Sequence, residues 1–157
     1  MVRCIYEKTF PAAQVLVGGL RYDSGDIPLA SVEIFPPPSS SGCSIPDLPG
    51  ARYHHSLSLL SGGRLVVCGG TTSDCISWVA GNTTWTIFGT MRCEDKKRIR
   101  YNLFLLHSYT RYYHTAWTPP SLPDSVVLLG HSSGTAETNA EIVPGKKEGF
   151  VSLSCLK

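Results

Sequence analysis

The feature that most constrains the fold is a short pattern that the chain repeats. Arg52–Ser56 reads RYHHS and Arg111–Thr115 reads RYYHT, so the order Arg-Tyr-x-His occurs twice. An apolar run that ends at glycine follows each copy, Arg64–Gly70 and Ser125–Gly130, and a third such run, Val15–Gly19, lies upstream. Repetition at a spacing of several tens of residues is typical of arrays in which no unit buries its apolar face alone. The chain is therefore predicted to be part of a repeat scaffold.

The middle unit, 51–91, shows the clearest order of strands and turns. Residues 51–60 alternate between apolar and polar side chains, and Ser61–Gly63 reads as a hairpin turn. Three further strand-like segments follow, separated by Gly69-Gly70 and by Gly81-Asn82. Four short antiparallel strands joined by tight turns are the content of one β-propeller blade.

The same order of segments recurs on both sides of the middle unit. Upstream, 14–48 predicts a partial blade that lacks its opening strand, and downstream, 109–155 predicts a fuller blade. The predicted strands of these two units are Gln14–Val17, Ser31–Phe35, Tyr113–Trp117, Ser125–Gly130, Ala140–Val143 and Phe150–Cys155. The chain is thus expected to hold one partial blade and two fuller ones.

Together these motifs resemble the kelch-repeat family of β-propellers over roughly 14–155. The residues that carry the resemblance are Gly18, Gly19, Gly69, Gly70, Gly130, Arg52, His55, Arg111, His114, Trp85 and Met91. The third unit departs from the pattern, because His131 stands where the doublet would have its second glycine. The resemblance implies an all-β fold of four-stranded antiparallel blades. Kelch propellers close rings of more blades than this chain holds, which implies a propeller fragment or an arc completed by self-association.

A change of composition interrupts the repeat at 92–108, between the second and third units. This segment contains five of the fourteen lysine and arginine residues of the chain. Connecting segments rich in charge are usually solvated, so an inter-blade loop is the favoured interpretation. The alternatives are a basic loop that contacts an acidic partner and translated non-coding sequence.

Two of the six cysteines, Cys68 and Cys75, flank a glycine doublet and a short polar segment. Facing each other across a hairpin, they could form a disulfide or remain two reduced, half-buried thiols, and both interpretations stay open. No pair of cysteines has Cys-x-x-Cys spacing, so no zinc site is predicted.

The compartment is only weakly indicated by the sequence. Asn82 begins an Asn-Thr-Thr triplet, an N-glycosylation acceptor in a predicted turn, which favours an extracellular location slightly over a cytoplasmic one. Met1–Lys8 lacks the apolar core of a signal peptide, so secretion would require a leader outside this sequence.

Charge and hydropathy argue against several classes of partner. The net charge of +2 is too small to favour nucleic acid or an anionic membrane. No apolar run approaches the ~18 residues needed to cross a bilayer, so no membrane span is predicted.

The predicted function is non-catalytic binding of a protein or glycan through loops at the ends of the blades. The candidate contact loops are Tyr22–Pro28, Pro36–Gly42, Thr71–Asp74 and His131–Asn139. No catalytic, cofactor-binding or metal-binding residue is assigned, and the sequence names no ligand. Open sheet edges in a partial propeller also predict self-association.

Two alternative functions remain. An intracellular kelch substrate adaptor would have free thiols and a separate oligomerisation domain. A propeller of the copper-radical oxidase type would bind copper at His55 or His114. A histidine that repeats with the structural unit favours packing or hydrogen bonding instead, and His54 and His55, as neighbours in a strand, would point to opposite faces.

The three tryptophans, Trp78, Trp85 and Trp117, also admit two interpretations. Their rings could stack on sugars, which would suit a glycan-binding module. For Trp85 and Trp117, packing in the core or between blades is the favoured interpretation, because of their place in the repeat.

Overall fold

The computed structural model describes residues 14–23, 25–35, 44–91, 111–132 and 138–145. In these ranges the chain forms nine strands in three antiparallel sheets. The first sheet has β1 (Gln14–Arg21) and β2 (Ile27–Phe35). The second has β3 (His55–Leu60), β4 (Arg64–Gly69), β5 (Asp74–Val79) and β6 (Thr86–Thr90). The third has β7 (Arg111–Trp117), β8 (Ser125–Ser132) and β9 (Thr138–Pro144).

The second sheet confirms the predicted four-stranded order of the middle unit. Its strands pair in chain order, so that Val67 of β4 lies between Leu57 of β3 and Ile76 of β5. A single 3-10 turn at Ser61–Gly63 joins β3 to β4, at the predicted hairpin. The all-β prediction is therefore confirmed, while the strand limits differ, since β3 begins at His55 and not at 51.

In the outer sheets the strands are longer than the sequence indicated. β2 begins at Ile27, so it takes up the last two residues of the predicted loop Tyr22–Pro28. Likewise, β8 runs to Ser132 and β9 begins at Thr138, which shortens the predicted loop His131–Asn139 from both sides. The predicted loop Pro36–Gly42, the insert 92–108 and the predicted strand Phe150–Cys155 lie outside the described residues.

Apolar side chains bury the two central strands of the second sheet, β4 and β5, on both faces, whereas Leu57, Leu59 and Ile87 of the outer strands are exposed. One layer joins the second sheet to the third sheet and contains Leu60, Val66, Cys68, Cys75, Phe88, Met91, Val126, Leu128 and Val143. The other joins it to the first sheet and contains Ile45, Leu48, Leu65, Val67, Ile76 and Trp78. Because neighbouring residues of a strand point to opposite faces, a strand that is covered twice must be apolar throughout. This double burial explains the unbroken apolar run of β4.

In the described ranges, no helix is long and apolar enough to cross a bilayer.

Candidate functional site

The repeated motif residues occupy equivalent positions in successive sheets. His55, at the start of β3, pairs with Gly69 of β4, and His114 of β7 pairs with Gly130 of β8. The glycine of each pair closes the apolar run of its own unit. The two copies of the motif therefore lie in the same register of the β-ladder, at the same end of their sheets.

Each of these histidines reaches back to the sheet that precedes it in the chain. His114 Nε2 lies 3.0 Å from Ser56 Oγ and 3.2 Å from the carbonyl oxygen of Cys68, both in the second sheet. A carbonyl oxygen can only accept, so the contact with Cys68 is a hydrogen bond when Nε2 carries the proton. The ring of His55 lies against Gly18 of the first sheet, and the backbones of Val17 and Arg52 act on it as hydrogen-bonding groups, while its buried Nδ1 has no hydrogen-bond partner among the described residues.

The two histidine contacts are themselves equivalent. Val17 and Cys68 each stand immediately before the first glycine of their unit, in the sequences Val17-Gly18 and Cys68-Gly69. A histidine of the following unit lies at this point in both cases: the His55 ring is next to Gly18, and His114 Nε2 is 3.2 Å from the carbonyl oxygen of Cys68. These side chains thus join each sheet to the next one at a repeated point.

Arg52 adds a second connection at the junction of the first and second sheets. Its backbone N–H donates to the carbonyl of Leu29 at 3.0 Å, and its own carbonyl accepts from Gly19 N–H at 2.7 Å. Its side chain is only 4% exposed and extends to the β4–β5 connection. There Nη1 donates to the carbonyl of Asp74 at 3.1 Å and approaches the carbonyl of Gly69 at 3.5 Å.

The guanidinium of Arg52 also forms an ion pair with the carboxylate of Asp74. Nη2 lies 2.9 Å from Oδ1, and the Asp74 side chain is 27% exposed. The angle at this contact falls outside hydrogen-bond geometry, so the attraction is Coulombic rather than that of an aligned hydrogen bond. Because the Arg52 side chain is almost fully buried, loss of the carboxylate would leave a desolvated cation, which is strongly unfavourable.

Glycine is required where the backbone of one segment crosses another at this junction. Gly18 has φ +53°, and a Cβ there would lie 2.6 Å from the carbonyl oxygen of Arg52. Gly70 has φ +80°, and a Cβ there would collide with the carbonyl oxygen of Tyr53 and crowd His55. The glycine doublets therefore permit close packing of the chain around the Arg-x-x-His segment.

A disulfide between Cys68 and Cys75 closes the β4–β5 connection beside this junction. Both cysteines are buried, and their Cα atoms are 4.1 Å apart as a directly paired position of the two strands. The structure thus selects the bridge from the two interpretations that the sequence left open. A covalent link across so short a loop limits the freedom of the Gly69–Asp74 segment that receives the Arg52 side chain.

The environment of His55 lowers the pKa of its ring below the usual value of 6.5. Burial is the largest cause, since it disfavours the charged imidazolium, and the positive charge of Arg52 acts in the same direction. Hydrogen bonds to the backbone of Val17 and Arg52 oppose the shift. His55 is therefore a neutral ring at neutral pH.

The remaining predicted residues lie apart from this junction. Trp85 packs against the layer between the first and second sheets and donates its Nε1–H to the carbonyl of Pro46 at 2.8 Å, as its predicted packing role requires. Trp78 is buried in the same layer. Trp117 is 55% exposed, so the packing role favoured for it is not fulfilled within the described residues.

Asn82 is exposed in the β5–β6 turn, where its carbonyl accepts from Trp78 Nε1–H at 2.8 Å. Arg111 is the first residue of β7 and pairs with Ser132.

The sequence-based prediction missed the two side chains that complete the motif. Asp74 was placed at the end of a contact loop, whereas it begins β5 and holds Arg52. Ser56 was regarded only as part of the repeated pattern, whereas its hydroxyl meets His114. Their types recur in many turns and strands, so local sequence held no signal that could have singled them out.

The sequence-based prediction that the chain lacks a Gly-x-Ser-x-Gly pattern, which is typical of serine hydrolases, was wrong, since the pattern occurs at 130–134. In those enzymes the serine stands on a sharp turn from a strand into a helix. Here Ser132 is the last residue of β8 and pairs with Arg111, in an extended antiparallel ladder. Ser132 therefore lies within the paired part of β8, and residues 133–137, which follow it, lie outside the described residues.

Metal binding at the histidines would require further ligands close by. Within the described part of the chain, no group of three or more His, Cys, Asp or Glu side chains is placed to hold an ion. His55 and His114 lie at different sheet junctions, and each ring contacts backbone of the preceding sheet. The chemical role of His55 and His114 in this arrangement is to connect neighbouring sheets through polar contacts with the backbone.

The candidate contact loops include three equivalent connections at one end of the sheets. The β1–β2, β4–β5 and β8–β9 connections each follow the strand that carries the apolar run. In the first of them Tyr22 is 72% exposed. The β3–β4 turn and the 118–124 segment between β7 and β8 lie at the opposite end, because successive strands are antiparallel. We call the first set the glycine-end loops.

Comparison of the chain with models of known protein families and with curated proteins found no match in either.

Proposed function

We propose that this chain is a segment of a kelch-like β-propeller whose sheets are its blades. Three sheets follow one another in chain order, and buried apolar layers join each to the next. Equivalent histidines contact the backbone of the preceding sheet at both junctions, as repeated blades would require. The Arg-x-x-His segments and glycine doublets are, on this proposal, the elements that set the spacing of the blades.

The proposed activity is non-catalytic binding of a protein or glycan at the glycine-end loops. The observation that carries it is the placement of two sets of residues. Arg52, His55 and His114 make contacts between sheets, while the glycine-end loops follow equivalent strands at one end of the sheets. Tyr22 places an exposed aromatic ring in this set of loops, suited to stacking on a sugar ring or an apolar side chain. Loops held on a rigid scaffold are the usual carriers of recognition.

An oxidising compartment is the setting that best suits this binding module. The Cys68–Cys75 disulfide is of the kind that persists in secreted proteins and is rare in reducing compartments. Asn82 is exposed in a turn, as an asparagine that carries a glycan must be. This supports the extracellular form of the proposal over an intracellular adaptor.

Binding to a printed oligosaccharide array, with panning of a displayed peptide library for protein-like ligands, tests the proposal. Tyr22→Ala is the variant, and Leu122→Ala, which removes an exposed apolar side chain from the opposite end, is the matched control. We expect Tyr22→Ala to weaken binding about tenfold, as loss of an aromatic contact would, and Leu122→Ala to leave it unchanged.

The proposal is contradicted if the wild-type chain binds neither array nor library. It is also contradicted if Leu122→Ala, and not Tyr22→Ala, removes the binding, because the ligand would then contact the other end of the sheets.

A further inference from the structure

The outer faces of the first and third sheets expose apolar side chains. On the third sheet, Leu129 is 42% exposed, and Trp117 lies on the same face because it pairs with Val127, two residues before Leu129. On the first sheet, Leu16 is 56% and Phe35 is 63% exposed, on the face opposite to the partly buried Val15 and Val17. Side chains of this size are normally covered when they share a sheet face.

The repeat shows what kind of surface each outer face is. Aligned on the first glycine of each unit, Val17, Cys68 and Leu129 are equivalent. Val17 and Cys68 lie on the faces that receive the following sheet. Leu129 is therefore on a receiving face that no following sheet covers among the described residues.

The same alignment identifies the outer face of the first sheet. Leu16, Val67 and Leu128 are equivalent. Val67 packs toward the first sheet and Leu128 packs toward the second, so both lie on faces that meet the preceding sheet. Leu16 therefore lies on the face of its unit that would meet a preceding sheet. We call this the inserting face, and the opposite face, which meets a following sheet, the receiving face. The two exposed faces are the two unlike halves of a junction that the chain forms twice internally.

We propose that a second copy of this chain covers these faces, with the inserting face of one copy packed on the receiving face of another. Such a contact continues the junction already made between the first and second and between the second and third sheets. It is heterologous, so it leaves a complementary pair of faces at the ends of the assembly and can extend it or close it into a ring. The inference depends on the stacking of the sheets alone and holds whether or not the glycine-end loops bind a ligand.

Sedimentation velocity of the full chain over a concentration series, with variants that charge one face each, tests this assembly. Leu16→Lys alters the inserting face and Leu129→Lys alters the receiving face, while Leu122→Lys is the control in an exposed loop. We expect wild type and control to associate as concentration rises. Either face variant alone should raise the dissociation constant at least about tenfold, because each new junction would bury an unpaired ammonium.

An equimolar mixture of the two face variants gives the decisive result. Each retains the face that the other lacks, and the two altered faces both carry lysine, so the mixture should form a one-to-one dimer that does not grow. Phe35→Lys and Trp117→Lys, on the same two faces, repeat the test should either leucine variant fail to fold.

Three results would overturn the proposal. A wild-type chain that stays monomeric at every soluble concentration would show that the faces do not associate. A face variant that associates as wild type does would show a contact between like faces or elsewhere. A mixture that remains monomeric would show that the two faces do not fit each other.

Discussion

His55 and His114 join successive sheets by contacts with the backbone of the residue that precedes a glycine. At the His114 junction, the ring lies between the Ser56 hydroxyl and the Cys68 carbonyl. A buried carbonyl that loses a donor costs more than a hydrogen bond contributes when formed, because the carbonyl has already been removed from water. The identity of these residues therefore follows from the need to satisfy backbone groups between sheets.

Replacement of His114 by alanine should lower the free energy of unfolding by about 1–3 kcal/mol, since it leaves the Cys68 carbonyl and the Ser56 hydroxyl without this partner. Chemical denaturation at fixed pH measures the change. The control is Thr115→Ala at the next position of β7, where the side chain is exposed and the expected change is small. Equal losses in the two variants would show that the ring contributes nothing beyond its place in the strand.

The lowered pKa of His55 predicts a pH dependence of stability. Well above pH 6.5 the ring is neutral in the folded and unfolded chains alike, so it has no effect on the slope there. As pH falls below 6.5, the unfolded chain binds the proton first, and the stability of the folded state decreases until the folded pKa is passed. The contribution to the slope is at most about 1.4 kcal/mol per pH unit.

This dependence is measured by comparing wild type with His55→Gln in denaturation experiments from pH 7.5 to about pH 4. Subtracting the two curves removes the effect of other titrating groups. We expect the wild type to lose more stability than the variant on acidification. Parallel curves would mean that His55 has an ordinary pKa in the folded chain.

Within the second sheet, the β4–β5 hairpin gathers several constraints at one end. Its disulfide pairs the strand ends, its backbone receives the Arg52 guanidinium, and Gly70 lets the Tyr53 carbonyl approach. The β3–β4 hairpin at the other end has a glycine of similar conformation, Gly63 with φ +75°, whose Cβ position is open. A comparison of Gly70 with Gly63 therefore distinguishes the need for a positive φ from the need for space beside the backbone.

Gly70→Ala should destabilise the chain clearly more than Gly63→Ala. Both variants place a Cβ at positive φ, which costs roughly 1–2 kcal/mol, but only Gly70→Ala adds a collision with backbone. Thermal or chemical denaturation of the two variants measures the difference. If both lose the same stability, the φ angle alone accounts for the glycine, and the doublet has no packing role.

Across the whole molecule, stability rests on two apolar layers with the second sheet between them. Val66 and Cys68 contribute to one layer, and Val67 and Leu65 to the other, so a single strand supports both. Neither layer can be removed without exposing a face of that strand. The sheets should therefore unfold together rather than one at a time.

Leu128→Ala should lower the free energy of unfolding by about 2–5 kcal/mol, because it opens a cavity in the layer between the second and third sheets. Leu129→Ala, one position along β8 on the outer face, is the matched control and should cost far less in dilute solution. Unfolding should stay a single transition when followed by far-UV circular dichroism and by tryptophan fluorescence. A separate early transition in either signal would contradict joint unfolding.

Much of the architecture was present in local sequence. Alternation in 51–60, the apolar run of β4 and the intervening glycines predicted four short antiparallel strands, and the second sheet has them. These patterns suffice because they reflect local events, a turn and a strand period of two residues. Strand limits were less predictable. β2 extends back through residues 27–30, an apolar stretch with a proline, and β8 extends through the polar His131 and Ser132, and both extensions pair with a neighbouring strand.

The sequence by itself determined the all-β class, the repeating unit and the residues that mark it, because periodicity and turn chemistry depend on near neighbours. Only the tertiary structure decided what those residues do. Arg52 contacts Asp74, which is 22 residues away in the sequence, and His114 contacts Ser56, which is 58 residues away. Which carbonyl a histidine meets, and which leucine of β8 is buried, depends on how one sheet lies on the next, and no local pattern encodes that placement.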